Sequence, residues 1–362
     1  MSSTPDHGGN VFSMARQLGT AATGIADFSA SINPLGLSPL VRQAIASALD
    51  SLVHYPDTDY EELKQALAAL HGVSPACIVV ANGSTELIYR LPDLLPGRRA
   101  LIISPAFSEY ERALTRQQWE AQPFILQVGD GFALDPDALA CTLADGYDAL
   151  YLCNPGNPSG RLYPPELVER VLDLCRASNT FLVLDEAFMD FCEGASAKQS
   201  IAASDNAVVL RSMTKFFAIP GLRLGYAIAN KEFAARLDAM GAPWSVNTLA
   251  LVAGLAAIHD TGHSQQTIVF VREERDYLRG RLARFPMLTV YPSEANFLLV
   301  ELTNSLTAHE LQRRLMDSRL LIRDCANFTG LTPHFFRIAV RTREENDRLL
   351  SALNVILKSD QR

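Results

Sequence analysis

Apolar and polar positions along this chain follow two periods. Short, almost wholly apolar runs occur at Cys77–Ala81, Ala100–Ser104, Ala149–Cys153, Phe181–Leu184, Ala207–Leu210 and Leu224–Ala229, with stretches of helical period between them. A strand that is apolar at every position has both faces covered, so the pattern predicts a mostly parallel sheet between helices, an α/β domain. Upstream, Ser38-Pro39 reads as a helix cap and first helical position, ahead of Val41, Ala44, Ile45, Ala48 and Leu49. Asp59 with Glu62 suggests a capping box for a second helix. Its buried stripe would be Leu63, Ala66, Leu67 and Leu70, and Gly72 would end it. Residues 1–35 read as an irregular arm. Beyond about residue 250 one long helical stretch runs through Arg279. An α+β segment follows, with strands near Leu288–Tyr291, Asn296–Val300 and Phe336–Val340. The division expected is an arm (1–35), a large domain (36–250) and a small α+β domain (251–362).

Composition narrows the function classes. The 362 residues are 48% hydrophobic and carry a formal net charge of −8, so no basic excess draws the chain to nucleic acid or anionic lipid. No apolar run reaches the roughly 18 residues that a spanning helix needs. Met1 to Gln17 is polar and lacks the apolar core of a signal peptide. The six cysteines form no CxxC pair and read as reduced, buried packing residues of a cytoplasmic protein. The seven histidines form no HxH pair, and no metal site is expected. Trp244 reads as core, and the charge run Arg272-Glu-Glu-Arg-Asp276 as a solvated helix face.

Four segments carry candidate chemistry. In Arg211-Ser-Met-Thr-Lys-Phe-Phe-Ala-Ile-Pro-Gly-Leu-Arg223, Lys215 lies in apolar surroundings close to Ser212 and Thr214. A lysine amine can condense with an aldehyde, and Ser212, Thr214 and Arg223 suit a phosphate held nearby. Asp185 ends the apolar run Phe181–Leu184, and strand ends of an open α/β sheet are where ligands bind. A carboxylate there could hold a pyridinium nitrogen protonated; alone, it could equally be a helix cap. Asn154-Pro-Gly-Asn-Pro-Ser-Gly160 is a tight turn whose best-placed amide is Asn157. Ala81-Asn-Gly-Ser-Thr-Glu-Leu87 runs from a strand through a turn into a helix, a natural anion site. It has neither the P-loop lysine nor the GxGxxG spacing, so no nucleotide is indicated.

In this order and over this length, the four segments resemble the fold-type I enzymes of pyridoxal 5'-phosphate (PLP), in the class I/II aminotransferase group. The resemblance implies a homodimer of that fold, with PLP on Lys215 as a Schiff base and Asp185 at the pyridine nitrogen. It implies Asn157 near the ring 3'-oxygen, and Ser84, Thr85, Ser212 and Arg223 around the cofactor phosphate. Phe107 would stack on the ring, Tyr55 would reach the partner subunit's cofactor, and Arg337 would clamp the substrate α-carboxylate. Within the group, His7-Gly-Gly-Asn10, Asp27-Phe-Ser-Ala-Ser-Ile-Asn-Pro-Leu-Gly36, Asp185-Glu-Ala-Phe-Met-Asp-Phe191, Pro243-Trp-Ser-Val-Asn247 and Leu321-Ile-Arg-Asp-Cys-Ala-Asn327 look like the L-threonine-O-3-phosphate decarboxylases. That branch supplies (R)-1-aminopropan-2-yl phosphate for cobalamin biosynthesis. The competing branch is histidinol-phosphate aminotransferase. The decarboxylase resemblance implies a phosphorylated amino acid as substrate, its phosphate held by Arg323, His7 and the Gly8 backbone, with Ser31 nearby. Two positions depart from the patterns: Ser31 stands where the decarboxylases carry Asn, and Phe188 where the wider group usually carries Tyr.

Overall fold

The computed structural model describes residues 7–359; residues 1–6 of the polar N-terminal stretch lie outside them. Seven strands form the main sheet: β1 (Ile78–Ala81), β2 (Arg99–Ser104), β3 (Glu120–Ile125), β4 (Ala149–Cys153), β5 (Phe181–Asp185), β6 (Ala207–Ser212) and β7 (Gly225–Ala229). Their spatial order is β1-β7-β6-β5-β4-β2-β3. All neighbours run parallel except β7, which is antiparallel to both β1 and β6.

The wholly apolar strands are explained by two cores. Leu150, Leu152, Leu182, Leu184 and Val209 enter one cluster, while Ala149, Tyr151, Phe181, Val183, Val208 and Leu210 enter the other. Alternate residues of a strand point to opposite faces, so each face has its own helices to cover it. β3 does not follow this rule and was not expected. It is the edge strand, its sequence Glu-Ala-Gln-Pro-Phe-Ile is half exposed, and Pro123 fits only an edge.

A second sheet holds β8 (Leu288–Val290), β9 (Phe297–Leu302), β10 (Arg323–Asp324) and β11 (Phe335–Ala339), antiparallel throughout in the order β10-β11-β9-β8. Ala26 and Phe28 of the N-terminal segment pack into its core beside Leu298, Val300, Phe336 and Ile338. Ala26–Asp27 also pairs with Leu320–Leu321. The segment expected to be irregular therefore holds this short strand and a helix, Val11–Leu18.

Other local expectations are corrected. The second helix, Glu61–His71, is entered from Asp57, whose carboxylate accepts from the Asp59 and Glu61 N–H groups, rather than from an Asp59 capping box. Its buried stripe is Leu63, Leu67, Ala68 and His71, with Leu70 exposed. In the first helix, Pro39–Ser47, Ser38 caps as expected, but Leu49 lies past its end and is exposed. The long helical stretch breaks at Asp260 into Thr248–His259 and Thr261–Leu282, with the Asp260 side chain capping the second helix. Glu274 and Arg275, expected on a solvated face, are buried: Glu274 accepts from Arg343 and Asn346, and Arg275 pairs with Glu294. Trp244, expected in the core, is half exposed and lies against the Tyr55 ring at 4.6 Å. Cys77, Cys153, Cys175 and Cys325 are buried and Cys192 partly so, but Cys141 is exposed. Among the described residues no helix is long and apolar enough to cross a membrane, and no cluster of side chains suits a metal ion.

Candidate active site

The carboxyl ends of the parallel strands converge on a cavity of about 320 Å3. β5 delivers Asp185, the loop after β4 delivers Asn157, and the short helix after β6 delivers Lys215. The loop after β2 adds Phe107, and the turn after β1 adds Ser84 and Thr85. Arg223 closes the same side. Arg323 and Arg337 enter from the second sheet, and His7, Gly8 and Ser31 from the N-terminal segment. Two of the expected residues do not line it. Ser212 is buried behind it, sharing a 2.8 Å hydrogen bond with the Thr214 hydroxyl. Tyr55 is 79% exposed and lies away from the cavity.

Lys215 donates from Nζ to Thr214 Oγ1 at 2.7 Å, and the Phe188 ring lies 5.9 Å away. Burial, and then the Arg223 charge, push its ammonium down to about 8, with Asp185 working in the opposite direction. Below that pH the amine is protonated; above it the amine is neutral and nucleophilic. The rate at which the cofactor-free chain attaches PLP is therefore expected to rise about fivefold between pH 7 and pH 8 and to level off beyond pH 9. Stopped-flow absorbance of PLP uptake checks this, and a flat profile would contradict it.

Asp185 accepts from the Ala187 N–H at 2.9 Å and from the Tyr110 hydroxyl. Burial raises its carboxyl above the ordinary range even so. A buried carboxylate of this kind is relieved by a cation placed against it, such as a protonated ring nitrogen. Its neighbour Glu186 points to the other side of the sheet. There Arg211, fully buried, donates to Glu186 at 3.1 Å and to Asp190 at 3.0 Å, and also pairs with Glu193. Glu186 and Arg211 thus tie together the ends of the two strands that carry Asp185 and Ser212.

The opposite wall is cationic. Arg337 donates to Asn157 Oδ1 and, at 3.1 Å, to the Ser29 carbonyl. Burial lowers it to about 10. Arg323 donates to the Asp324 carbonyl and to Asn327 Oδ1, both at 2.8 Å. Ser31 Oγ and Arg337 Nε are buried and have no hydrogen-bond partner among the described residues. His7 Nε2 lies 2.8 Å from Glu109 Oε1, with the His7 ring 5.6 Å from Phe107.

The residues present fit PLP. The helix Ser84–Leu94 follows Gly83, whose φ of +81° favours glycine, and the Arg223 side chain lies against that turn. A Cβ on Gly83 would meet Arg223 Nη2 at 2.7 Å, and one on Gly225 would meet the Ser84 N at 2.3 Å. At both points glycine lets protein groups pack closely, which brings the Arg223 side chain and the Ser84 backbone together on the side expected to take the cofactor phosphate. Sequence reasoning missed Tyr110, the hydroxyl partner of Asp185, and Glu109, the partner of His7. They lie 75 and 102 residues from those partners, and nothing local marks either contact.

The model of the family described as aminotransferase class I and II matches residues 23–353. The chain belongs to that family. Its cofactor is PLP, and its fold is the fold-type I architecture. Among its relatives is the threonine-phosphate decarboxylase of Salmonella typhimurium, 42% identical over 97% of this chain and 96% of that protein. The solved L-threonine-O-3-phosphate decarboxylase of Porphyromonas gingivalis matches with a TM-score of 0.82 and 30% identity, over 92% of this chain and all of that one. The histidinol-phosphate aminotransferase of Clostridium acetobutylicum matches with a TM-score of 0.86 and 29% identity, again over 92% of this chain and all of that one. Both branches of the family share the fold, so backbone shape does not choose between them.

Proposed function

We propose that this protein decarboxylates L-threonine O-3-phosphate to (R)-1-aminopropan-2-yl phosphate, a step of cobalamin biosynthesis. The observation that carries the reading is the pair of buried arginines, Arg323 and Arg337, on one cavity wall. Two fixed cations suit a substrate that has a carboxylate and a phosphate in one molecule. The 42% identity to a threonine-phosphate decarboxylase supports the same reading.

On this reading Arg337 and Asn157 hold the α-carboxylate. Arg323, His7 and the Gly8 N–H hold the phosphate, with the unpaired Ser31 hydroxyl beside them. Anchors at both ends of the substrate fix its rotation about Cα, and that rotation selects which bond breaks. Bound PLP supplies an electron sink for the charge left on Cα when CO2 departs. Lys215 or water then delivers a proton to Cα. Ser84, Thr85 and Arg223 hold the cofactor phosphate, with Ser212 buried behind them, while Asp185 holds the ring nitrogen and Phe107 the ring face. Phe188, buried against Phe297, offers no hydroxyl where the wider family has Tyr. Tyr55 serves the second subunit of a homodimer. Residues 1–35, 36–250 and 251–362 act as arm, cofactor domain and small domain.

The holoenzyme is expected to release CO2 from L-threonine phosphate with no keto acid present. Arg323→Gln should lower kcat/KM for this substrate about 100-fold, because one partner of a buried charge pair is lost. Inhibition by unphosphorylated L-threonine, which lacks the phosphate, should stay nearly unchanged. An equal loss of affinity for both compounds would remove the phosphate role from Arg323.

A further inference from the structure

We infer that Glu109 is a positioning residue: it sets the His7 ring in the cavity wall and so governs affinity for the phosphate end of the substrate. The inference rests on the reading of His7 given above and deepens it. Glu109 is buried, on the first turn of the helix Glu109–Arg116. Each of its oxygens is committed. Oε1 meets His7 Nε2 at 2.8 Å and accepts from Arg112 at 2.9 Å, and Oε2 accepts from the Tyr89 hydroxyl at 2.6 Å. Burial would raise this carboxyl, but the Tyr89 and Arg112 hydrogen bonds and the His7 contact outweigh it and hold it below its ordinary range. It is therefore an anion fixed from three sides.

The arm is tied at its backbone elsewhere. The Gly9 N–H donates to Ser29 Oγ at 2.8 Å, and a Cβ on Gly8 would collide with the Ser29 carbonyl. Those contacts place the chain of the arm but leave the His7 ring free to turn. Glu109 removes that freedom. With Nε2 held by the carboxylate, Nδ1 is the nitrogen left for a ligand, and it donates to a phosphate oxygen when the ring carries both protons.

The position of the ring has a second consequence. His7, Gly8 and Arg323 line both the active-site cavity and a neighbouring cavity of about 310 Å3. They form the wall between the two. Glu109 thus fixes one side of the wall on which a phosphate would rest. Tyr89, which steadies Glu109, sits on the helix that opens at the cofactor-phosphate cradle, so both anion sites lean on one helix.

The test uses holoenzyme, in which PLP fills its own phosphate site, and inorganic phosphate as the probe. In calorimetry Glu109→Ala should weaken phosphate binding about tenfold, and His7→Ala by a similar factor. The double variant should bind no more weakly than His7→Ala alone, since Glu109 acts only through the ring. Glu109→Gln should recover most of the affinity: its amide oxygen can accept from His7 and Arg112 while its NH2 faces the Tyr89 hydroxyl. This isosteric variant, together with Tyr89→Phe, keeps the test open if Glu109→Ala folds poorly. With L-threonine phosphate the Glu109→Ala loss should appear in kcat/KM and match that of His7→Ala within about threefold. Unchanged phosphate affinity in Glu109→Ala, or additive losses in the double variant, would overturn the inference. The phosphate titrations stand whether or not L-threonine phosphate is the substrate, so the two readings fail separately.

Discussion

Lys215→Ala is expected to abolish the reaction, with a loss of at least about 10^4-fold in kcat. The substitution removes two functions together: the nucleophile that takes up PLP and the group that moves a proton at Cα. The protein should still fold, because the Lys215 amine makes a single side-chain hydrogen bond, to Thr214, and desolvation already depresses its charge. Borohydride reduction of the loaded wild-type chain should fix the cofactor to the peptide containing Lys215, as read by mass spectrometry. The variant should show no adduct there. A labelled peptide elsewhere, or turnover within tenfold of wild type, would displace Lys215 from its role.

The second large effect belongs to Asp185→Asn. The carboxylate is buried, with Tyr110 and the Ala187 N–H as its hydrogen-bond donors and Lys215 as the charge that favours its ionised form. An isosteric amide preserves the packing at the end of β5 but cannot balance a protonated ring nitrogen. Breaking one partner of a buried charge pair costs about 3–5 kcal/mol, so kcat should fall about 10^3-fold. The absorption band of the bound cofactor should also shift, reporting the lost ring proton independently of rate. An unchanged spectrum with unchanged kcat would mean that Asp185 does not face the ring.

Much of this site was legible in the chain because its parts are short and contiguous. Lys215, Asp185, Asn157, Ser84 and Thr85 each follow an apolar strand, and strand ends in a parallel sheet share one edge of the domain. The six apolar runs were legible for a similar reason: burial on both faces leaves no polar position to blur them. β3 escaped because an edge strand is half exposed. Nothing in its composition announces that β7 runs antiparallel, since every residue of that strand is buried whichever way it runs.

The long-range contacts were harder. Asp185–Tyr110 and His7–Glu109 join elements that only the finished fold brings together. The run Arg272–Asp276 looked like a solvated face because charge is usually exposed, yet Glu274 finds Arg343 and Asn346 on the last helix and is buried with them. Trp244 misled in the opposite sense. Its indole covers Tyr55 at the surface rather than filling a core, so residue type alone did not give its depth. The roles of Arg323 and His7 came from the resemblance, and the structure adds the cavity that the two residues share with Arg337.

The most direct measurement follows the nitrogen atom. Purified holoenzyme would be given L-threonine phosphate labelled with 15N, in the presence of 2-oxoglutarate, and all products read by mass spectrometry. Decarboxylation predicts that the label stays on aminopropanyl phosphate, with one CO2 per amine and no labelled glutamate. Label appearing in glutamate, with no CO2 released, would contradict the account and return the protein to the aminotransferase branch of its family.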